Sequence, residues 1–315
     1  MKITLIDPLN VDDSIIVSHK NKLEEKGHEF DYYKESAKSD QEIIKRLKDS
    51  DIAVITNKKF SKEVIENTNL KLIDVAFTGT DHVAVDFANE KGIVVENASG
   101  YSDQSVAELV IGLAIDIMRK FDENRENIFE NKNHFLLGDT LKSKKIGIIG
   151  TGNIGKRTIE LFKAFGCEII AYSRTQKEEI KNLGVKYVQL DQLLKEADII
   201  SIHLPLNSHT KGFLSKEKLD LIRDDAILIN CARGPIIDND HLAKLLNEGK
   251  IRAAGIDVFD MEPPLDSNYP LRNAKNVVLT NHVAFFTNEA MENRAEIVFD
   301  NIYKFLDGSL QNVVK

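Results

Sequence analysis

The stretch KKIGIIGTGNIGKRTIELFKAFG, Lys144 to Gly166, decides the fold. An apolar, β-branched run ends in a turn carrying Gly150, Gly152 and Gly155 and passes straight into a segment with helical spacing of its apolar residues. Strand, glycine turn and helix in that order make a phosphate cradle. The first glycine allows the tight turn, the second lets backbone approach a pyrophosphate, and the third lets the helix pack closely. The phosphates rest on the helix N-terminus, where unbonded N–H groups and the helix dipole favour an anion. Such a turn usually leads, about 20 residues on, to an acid that holds a ribose hydroxyl. Here the next strand, EIIAY, ends instead in Ser173, Arg174 and Thr175.

Outward from this stretch, short β-branched runs alternate with amphipathic segments along the whole chain. KITLID, DIAVITN, KLIDVAF and GIVVEN read as strands before it, and EIIAYS, VKYVQL, DIISIHLP, DAILINCARG, IRAAGIDVF and NVVLTNH after it. Ser39 followed by Glu42 gives one intervening helix a capping-box start. Alternation of this kind means parallel sheets covered on both faces. The rhythm breaks once, at DQSVAELVIGLAIDIMRKFDENRENIFE, Asp103 to Glu130, which reads as one long helix between two α/β units. The expected architecture is therefore two doubly wound parallel-sheet domains, with ligands at the carboxyl ends of the strands. The last helical segment, from Thr287, needs a surface to cover and is expected back on the first domain.

A length of 315 residues favours two domains over one core. The net charge of −8, without a basic block, argues against nucleic acid or an anionic membrane as partner. The longest apolar region is interrupted by Glu108 and Asp116 and is too short to span a bilayer. Only Cys167 and Cys231 occur, and no signal-peptide pattern opens the chain, so a reduced cytoplasmic protein without disulfides is expected.

Three strand ends in the second unit carry reactive side chains: Arg233 after AILINCA, Glu262 after AAGIDVFDM, and His282 after NVVLTN. A planar guanidinium can grip a carboxylate at two points and polarise the neighbouring carbonyl. An imidazole that titrates near neutrality can give a proton to a forming alkoxide or take one from an alcohol. A glutamate beside it favours the imidazolium and fixes the ring. His19, His28, His134, His209 and His241 sit in polar contexts and read as surface residues; His82 and His203 lie nearer the sites, with no catalytic role assigned.

With these motifs in view, the chain resembles the D-isomer-specific 2-hydroxyacid dehydrogenases. The resemblance runs through GTDHVAVDFANEKGIVVENA, SVAELVIGL, GIIGTGNIG, HLPLNSHT, NCARG, AAGIDVFDMEP and LTNHVA, and so covers nearly the whole length. It implies a Rossmann NAD(P)-binding domain over residues 101–287 and a flavodoxin-like substrate-binding domain over 1–100 and 288–315. The active-site cleft is expected between them, with hinges near Ser99 to Ser102 and near Thr287. It assigns Arg233 to substrate binding and polarisation, His282 to acid/base catalysis and Glu262 to support of the histidine. Thr78 and Gly79 are implied to hold the substrate carboxylate, and Asp257 to lie near the nicotinamide carboxamide. The cofactor is further expected along Ser105, Asn153, Ile154, His203, Pro205, Thr210, Cys231, Ala232 and His282. The long helix and KNHFLLGDTL after it resemble a dimer-forming arm, which implies a homodimer.

The chain departs from the family in two places. Asn281 stands where proline usually precedes the catalytic histidine, and LKSKK replaces the common LxGK before the glycine turn. Glu262 argues against the formate dehydrogenase branch, which carries glutamine there. Tyr101 and the Phe285–Phe286 pair suggest an alkyl or aryl 2-oxo acid, as in D-lactate and D-hydroxyisocaproate dehydrogenases. YSRT resembles glyoxylate and hydroxypyruvate reductases, and a phosphoglycerate dehydrogenase-like enzyme is a further alternative. A dinucleotide-sensing binding protein of the corepressor type is the reading from another class. The cofactor is NADP or NAD. NADPH is favoured, because Ser173 and Thr175 can donate to phosphate and no acid repels it.

Overall fold

Short runs such as IAVI and ILIN, buried along their whole length, are what a strand covered on both faces requires. In the computed structural model, which describes residues 1–314, they build two parallel sheets, one in each of two units. The first unit opens with β1 (Lys2–Leu5), α1 (Asp13–Glu25), β2 (Glu29–Tyr32), α2 (Asp40–Arg46), β3 (Ile52–Ile55), α3 (Lys62–Glu66), β4 (Leu72–Val75), α4 (Val85–Glu90) and β5 (Val94–Asn97). Its sheet runs β2-β1-β3-β4-β5, the doubly wound order whose switch point lies between β1 and β3. β2 is absent from the expectations above because its sequence EFDY buries only Phe30 and presents no apolar run. In α2 the capping box forms with a shift. Ser39 Oγ accepts from Glu42 N–H, while the Glu42 carboxylate accepts from Lys38 N–H rather than from that of Ser39.

The second unit, Asp103–Phe285, contains α5 (Asp103–Arg119), α6 (Phe121–Phe129), β6 (Lys145–Ile149), α7 (Asn153–Ala164), β7 (Glu168–Tyr172), α8 (Glu178–Asn182), β8 (Lys186–Tyr187), α9 (Leu190–Glu196), β9 (Ile199–Ile202), α10 (Lys216–Leu219), β10 (Ile227–Asn230), α11 (Asn239–Asn247), β11 (Ala253–Ile256) and β12 (Val277–Leu279). The order β12-β11-β10-β9-β6-β7-β8 is a Rossmann arrangement with one added strand, and it reverses between β6 and β9. The expected single helix over 103–130 is two helices. Lys120 sits at φ +54°, in the left-handed region that a continuous helix cannot contain.

α12 (Asn288–Leu306) belongs to the first unit, where its Phe299 stacks on His19 at 3.9 Å. His19 is therefore not the surface residue its polar neighbours suggested. It is buried, its Nδ1 lies 2.9 Å from the Tyr303 hydroxyl, and desolvation holds its imidazole below the usual value. Beyond α12 the chain turns back along β5. Asn97 N–H donates to Asn312 O, Val314 N–H donates to Val95 O, and Val313 forms an antiparallel bridge with Glu96.

Beneath this tail lies an unusual pair. Asp74 and Glu96 are cross-strand partners on β4 and β5, and both are fully buried. Asp74 accepts from Asn301 Nδ2 and Glu96 from Gln311 N–H, leaving one oxygen of each, Oδ2 and Oε2, without a partner. Desolvation raises Asp74 well above the ordinary carboxylate range, helped by the charge of Glu96, and pushes Glu96 up to about 7. Groups whose folded pKa exceeds the unfolded one bind more protons when folded, so their stabilising effect is complete below the unfolded value of about 4 and is lost as pH rises. For Glu96 that loss runs through about pH 7. Asp74→Asn should remove one of these protons from the balance. Relative to wild type, it is expected to stabilise the chain more at pH 8.5 than at pH 5. Urea midpoints across that range measure it, and an equal effect at both ends would refute the shared burial of charge.

Candidate active site

The glycine turn opens at the end of β6. Gly150 has φ +96°, and a Cβ there would meet the His203 carbonyl oxygen at 2.4 Å, so strand β9 presses on the turn across the switch point. A Cβ at Gly155 would lie 2.1 Å from Gly150 O, which binds the helix to the turn. Gly152 is different: nothing lies within 4 Å of where its Cβ would be. The protein does not require glycine there, whereas a pyrophosphate approaching the backbone does. Gly152 is also the N-cap of α7, makes no side-chain cap, and the first helical turn carries no acid. An uncapped, acid-free helix N-terminus under an open glycine fits a dinucleotide's phosphates.

The other residues expected at the cofactor fall around this turn or elsewhere on the same carboxyl edge. Asn153 and Ile154 begin α7, and the Asp103 carboxylate accepts a hydrogen bond from Asn153. Ser105 is buried in the first turns of α5. His203 follows β9; its Nε2 lies 2.9 Å from the Ser201 hydroxyl, and burial pushes its imidazole down to about 3, so it stays neutral. The Thr210 hydroxyl donates to Pro205 O at 2.5 Å and accepts from Asn207 N–H, closing that loop on itself. Ser173, half-buried, and the exposed Arg174 and Thr175 follow β7. The nearest acids downstream are Glu178 and Glu179, and Lys156 engages Glu179 at 2.6 Å. Among the described residues, none of the five that directly follow β7 is acidic.

The reactive trio occupies the ends of three neighbouring strands, β10, β11 and β12. After β10, Asn230 braces the turn: its Oδ1 accepts from Ala232 N–H and its Nδ2 donates to Arg233 O. Arg233 Nη1 donates to Ala232 O at 2.8 Å. Cys231 is buried, and burial together with the Asp257 charge holds its thiol protonated. Gly234 then crosses the chain after β11 so closely that a Cβ would lie 2.0 Å from the Phe259 carbonyl carbon. Contact between these two loops brings the Arg233 turn against the segment leading to Glu262.

His282 lies at φ +53°, a conformation that few side chains adopt without cause. Asp257 supplies the cause. Fully buried after β11, its carboxylate accepts from Thr280 Oγ1 at 2.5 Å, Val283 N–H at 2.9 Å and Ala284 N–H at 3.0 Å, and His282 N–H donates to Asp257 O. This role as anchor of the histidine loop was not read from the sequence, where Asp257 entered only through resemblance; an acid directly after a buried strand was the available signal. The imidazole itself packs edge-on to Phe285 and reaches Glu262, with Nδ1 3.0 and 3.2 Å from the two carboxylate oxygens. A carboxylate only accepts, so Nδ1 carries the hydrogen and Nε2 is left without one in the neutral ring.

Thr78, Gly79 and Tyr101 belong to the first unit. The turn after β4 holds Thr78, whose carbonyl accepts from Asn97 Nδ2, and the half-buried Gly79. Tyr101 follows β5, is buried, and meets Phe77 edge-on with ring centroids 6.1 Å apart.

Residues 111–284 match the family model described as D-isomer specific 2-hydroxyacid dehydrogenase, NAD binding domain. Over the whole chain, 37% of residues are identical to a D-3-phosphoglycerate dehydrogenase of Methanocaldococcus jannaschii, of whose length the chain spans 59%. A hydroxypyruvate reductase of Blautia hydrogenotrophica is 34% identical, with 93% of each protein covered. Among solved structures, an acyclic imino acid reductase in complex with NADPH and D-Arg superposes with a TM-score of 0.91 at 32% identity, covering all of both chains. A D-lactate dehydrogenase from Aquifex aeolicus complexed with NAD and lactic acid gives 0.85 at 27% identity, covering 98% of this chain and 96% of that one.

Proposed function

We infer the reaction from the premise that this chain belongs to the D-isomer specific 2-hydroxyacid dehydrogenase family: it is an oxidoreductase that moves a hydride between a nicotinamide dinucleotide and a 2-oxo acid or D-2-hydroxy acid. The observation that carries our assignment of roles is the contact between His282 Nδ1 and Glu262 at 3.0 Å. Glu262 fixes the tautomer and the orientation of the ring. His282 Nε2 then gives its proton to the carbonyl oxygen during reduction and recovers one from the hydroxyl in reverse. Arg233 grips the carboxylate and polarises the carbonyl, and Thr78 and Gly79 hold the same carboxylate. Gly150, Gly152, Asn153 and Gly155 take the dinucleotide's phosphates. When bound, the dinucleotide supplies or accepts the hydride.

The substrate we assign is a 2-oxo acid with a small or apolar side chain rather than a phosphorylated one, supported by Tyr101, Phe77 and Phe285. Reduced-nicotinamide absorbance at about 340 nm tests this, with glyoxylate, hydroxypyruvate, pyruvate, branched 2-oxo acids and phosphohydroxypyruvate as the panel. A chain inactive on all of them would refute the reaction. Fastest turnover of phosphohydroxypyruvate would refute only the substrate class.

The cofactor we assign is NADPH in preference to NADH. Without a carboxylate at the end of β7, nothing repels a 2′-phosphate, and Ser173, Arg174 and Thr175 all carry donors. Ser173→Asp should restore both the ribose acceptor and the repulsion. The NADPH/NADH ratio of kcat/KM is expected to fall at least tenfold, about 1.4 kcal/mol of discrimination, and an unmoved ratio would show that the strand end does not read the phosphate.

A homodimer is our reading of the assembly. Phe135 and Leu137 are each 90% exposed and follow α6, whose Ile128 and Phe129 are 79% and 76% exposed, an apolar series that a monomer leaves in water. Light scattering should give twice the 35.5 kDa of one chain. Two buried free thiols suit a cytoplasmic setting. No helix among the described residues is long and apolar enough to cross a membrane.

A further inference from the structure

Among the described residues, the largest fully buried side chain is a charged one. Arg294, on α12 in the first unit, is 1% exposed. Its Nη2 donates to Leu9 O at 2.6 Å, in the loop after β1, and its guanidinium lies over the rings of Phe77, at 5.1 Å, and Tyr101, at 5.8 Å. The Tyr101 hydroxyl hydrogen-bonds to it as well. Its neighbour Asn293 donates from Nδ2 to Tyr101 O. The immediate surroundings of the charge are thus a carbonyl, a phenol and two aromatic faces, and Nε has no partner at all.

This is an expensive arrangement for structure alone. A methionine or leucine would fill the same volume without desolvating a charge, and buried cations normally meet a carboxylate. Aromatic faces recover part of the cost, but they do not supply a negative charge. Desolvation works against the charge here too, holding the guanidinium below its ordinary basicity.

The position points to what repays it. Leu9, Phe77 and Tyr101 follow β1, β4 and β5, so Arg294 sits at the carboxyl edge of the first sheet, where doubly wound folds bind ligands. Phe77 directly precedes Thr78 and Gly79, assigned above to the substrate carboxylate. We propose that Arg294 is an anion-recognition residue: the carboxylate of the 2-oxo acid is its counter-charge, felt through space in a low-dielectric setting rather than by an exposed contact. The role rests on the reaction proposed above. It makes the first unit, and not only Arg233, electrostatically selective for acids over neutral carbonyl compounds.

The experiment compares Arg294→Met and Arg294→Gln, which discard the charge, with Arg294→Lys, which keeps it. Each is assayed with NADPH for kcat and KM on glyoxylate and on a branched 2-oxo acid. NADPH affinity and thermal midpoint are recorded alongside. Arg294→Met and Arg294→Gln are expected to raise KM at least tenfold for both acids, with kcat within threefold and NADPH affinity within twofold of wild type. Arg294→Lys should keep KM within threefold. Oxalate, a non-reacting dianion, should lose affinity in the same order. Should Arg294→Met fail to fold, Arg294→Gln retains a donor for Leu9 O and carries the test. The proposal is overturned if a folded neutral variant keeps its KM within twofold, if lysine and the neutral residues raise KM equally, or if only the thermal midpoint moves. Active wild type with unmoved KM in the variants removes Arg294 alone, whereas wild type inactive on every 2-oxo acid removes the reaction and this role with it.

Discussion

Replacing His282 with alanine is expected to lower kcat on the best 2-oxo acid by at least two orders of magnitude, about what a positioned general acid contributes. Dinucleotide affinity should stay within about threefold, because the phosphate cradle lies at the ends of other strands. Alanine is a poor occupant of φ +53°, so some of its effect is strain in the loop. His282→Asn separates the two, since asparagine accepts left-handed backbone more readily and carries no titrating group near neutrality. Both variants should lose turnover alike while only alanine loses stability. Steady-state kinetics and urea unfolding on the same samples decide it, and half-normal turnover in either variant removes His282 from the chemistry.

Gly234→Ala is expected to be the most damaging single methyl group in the second unit. Its Cβ would lie 2.0 Å from Phe259 C, 2.1 Å from Phe259 O and 2.6 Å from Asp260 N, all backbone atoms with no rotamer to yield. One of the two loops must move, and they carry Arg233 and Glu262. Destabilisation of more than about 3 kcal/mol, or failure to fold, is expected. Any folded fraction should lose about 100-fold or more in kcat/KM, as displacement of reacting groups by about 1 Å does. Urea unfolding and the 2-oxo acid assay measure the two effects, and a variant close to wild type in both would mean that the crossing has slack.

Much of this was legible in the residues. Gly150, Gly152 and Gly155 announced their turn because strand and helix periodicity flank them directly, and Arg233, Glu262 and His282 declared themselves as polar residues just past apolar runs. What stayed hidden was set by partners distant in the chain. Nothing local to GPI says that Gly234 meets Phe259, and the polar stretch ENRA gives no hint that Arg294 is swallowed whole. Asp257 looked like one more strand-end acid until the backbone of residues 283 and 284 closed on it. Conversely, local pattern misled where tertiary contact overrides it. His19 stands among polar neighbours yet stacks on Phe299, and the helical spacing through Lys120 continues although the backbone does not.

The return of the chain along β5 has a bearing on solubility. A terminal strand of a sheet shows a row of unpaired N–H and C=O groups on which another molecule can assemble, and β5 is the outermost strand of its sheet. Residues 312–314 occupy that row by bonding to Val95 and Asn97, much as a cover strip closes a zipper. Among the described residues the strip is thin, a single antiparallel bridge made by two backbone bonds, and it lies over the two carboxyl groups whose ionisation strains this edge. Alkaline conditions that loosen it would open a template for edge-to-edge growth. Aggregation of the otherwise folded protein should then begin at β5, ahead of global unfolding.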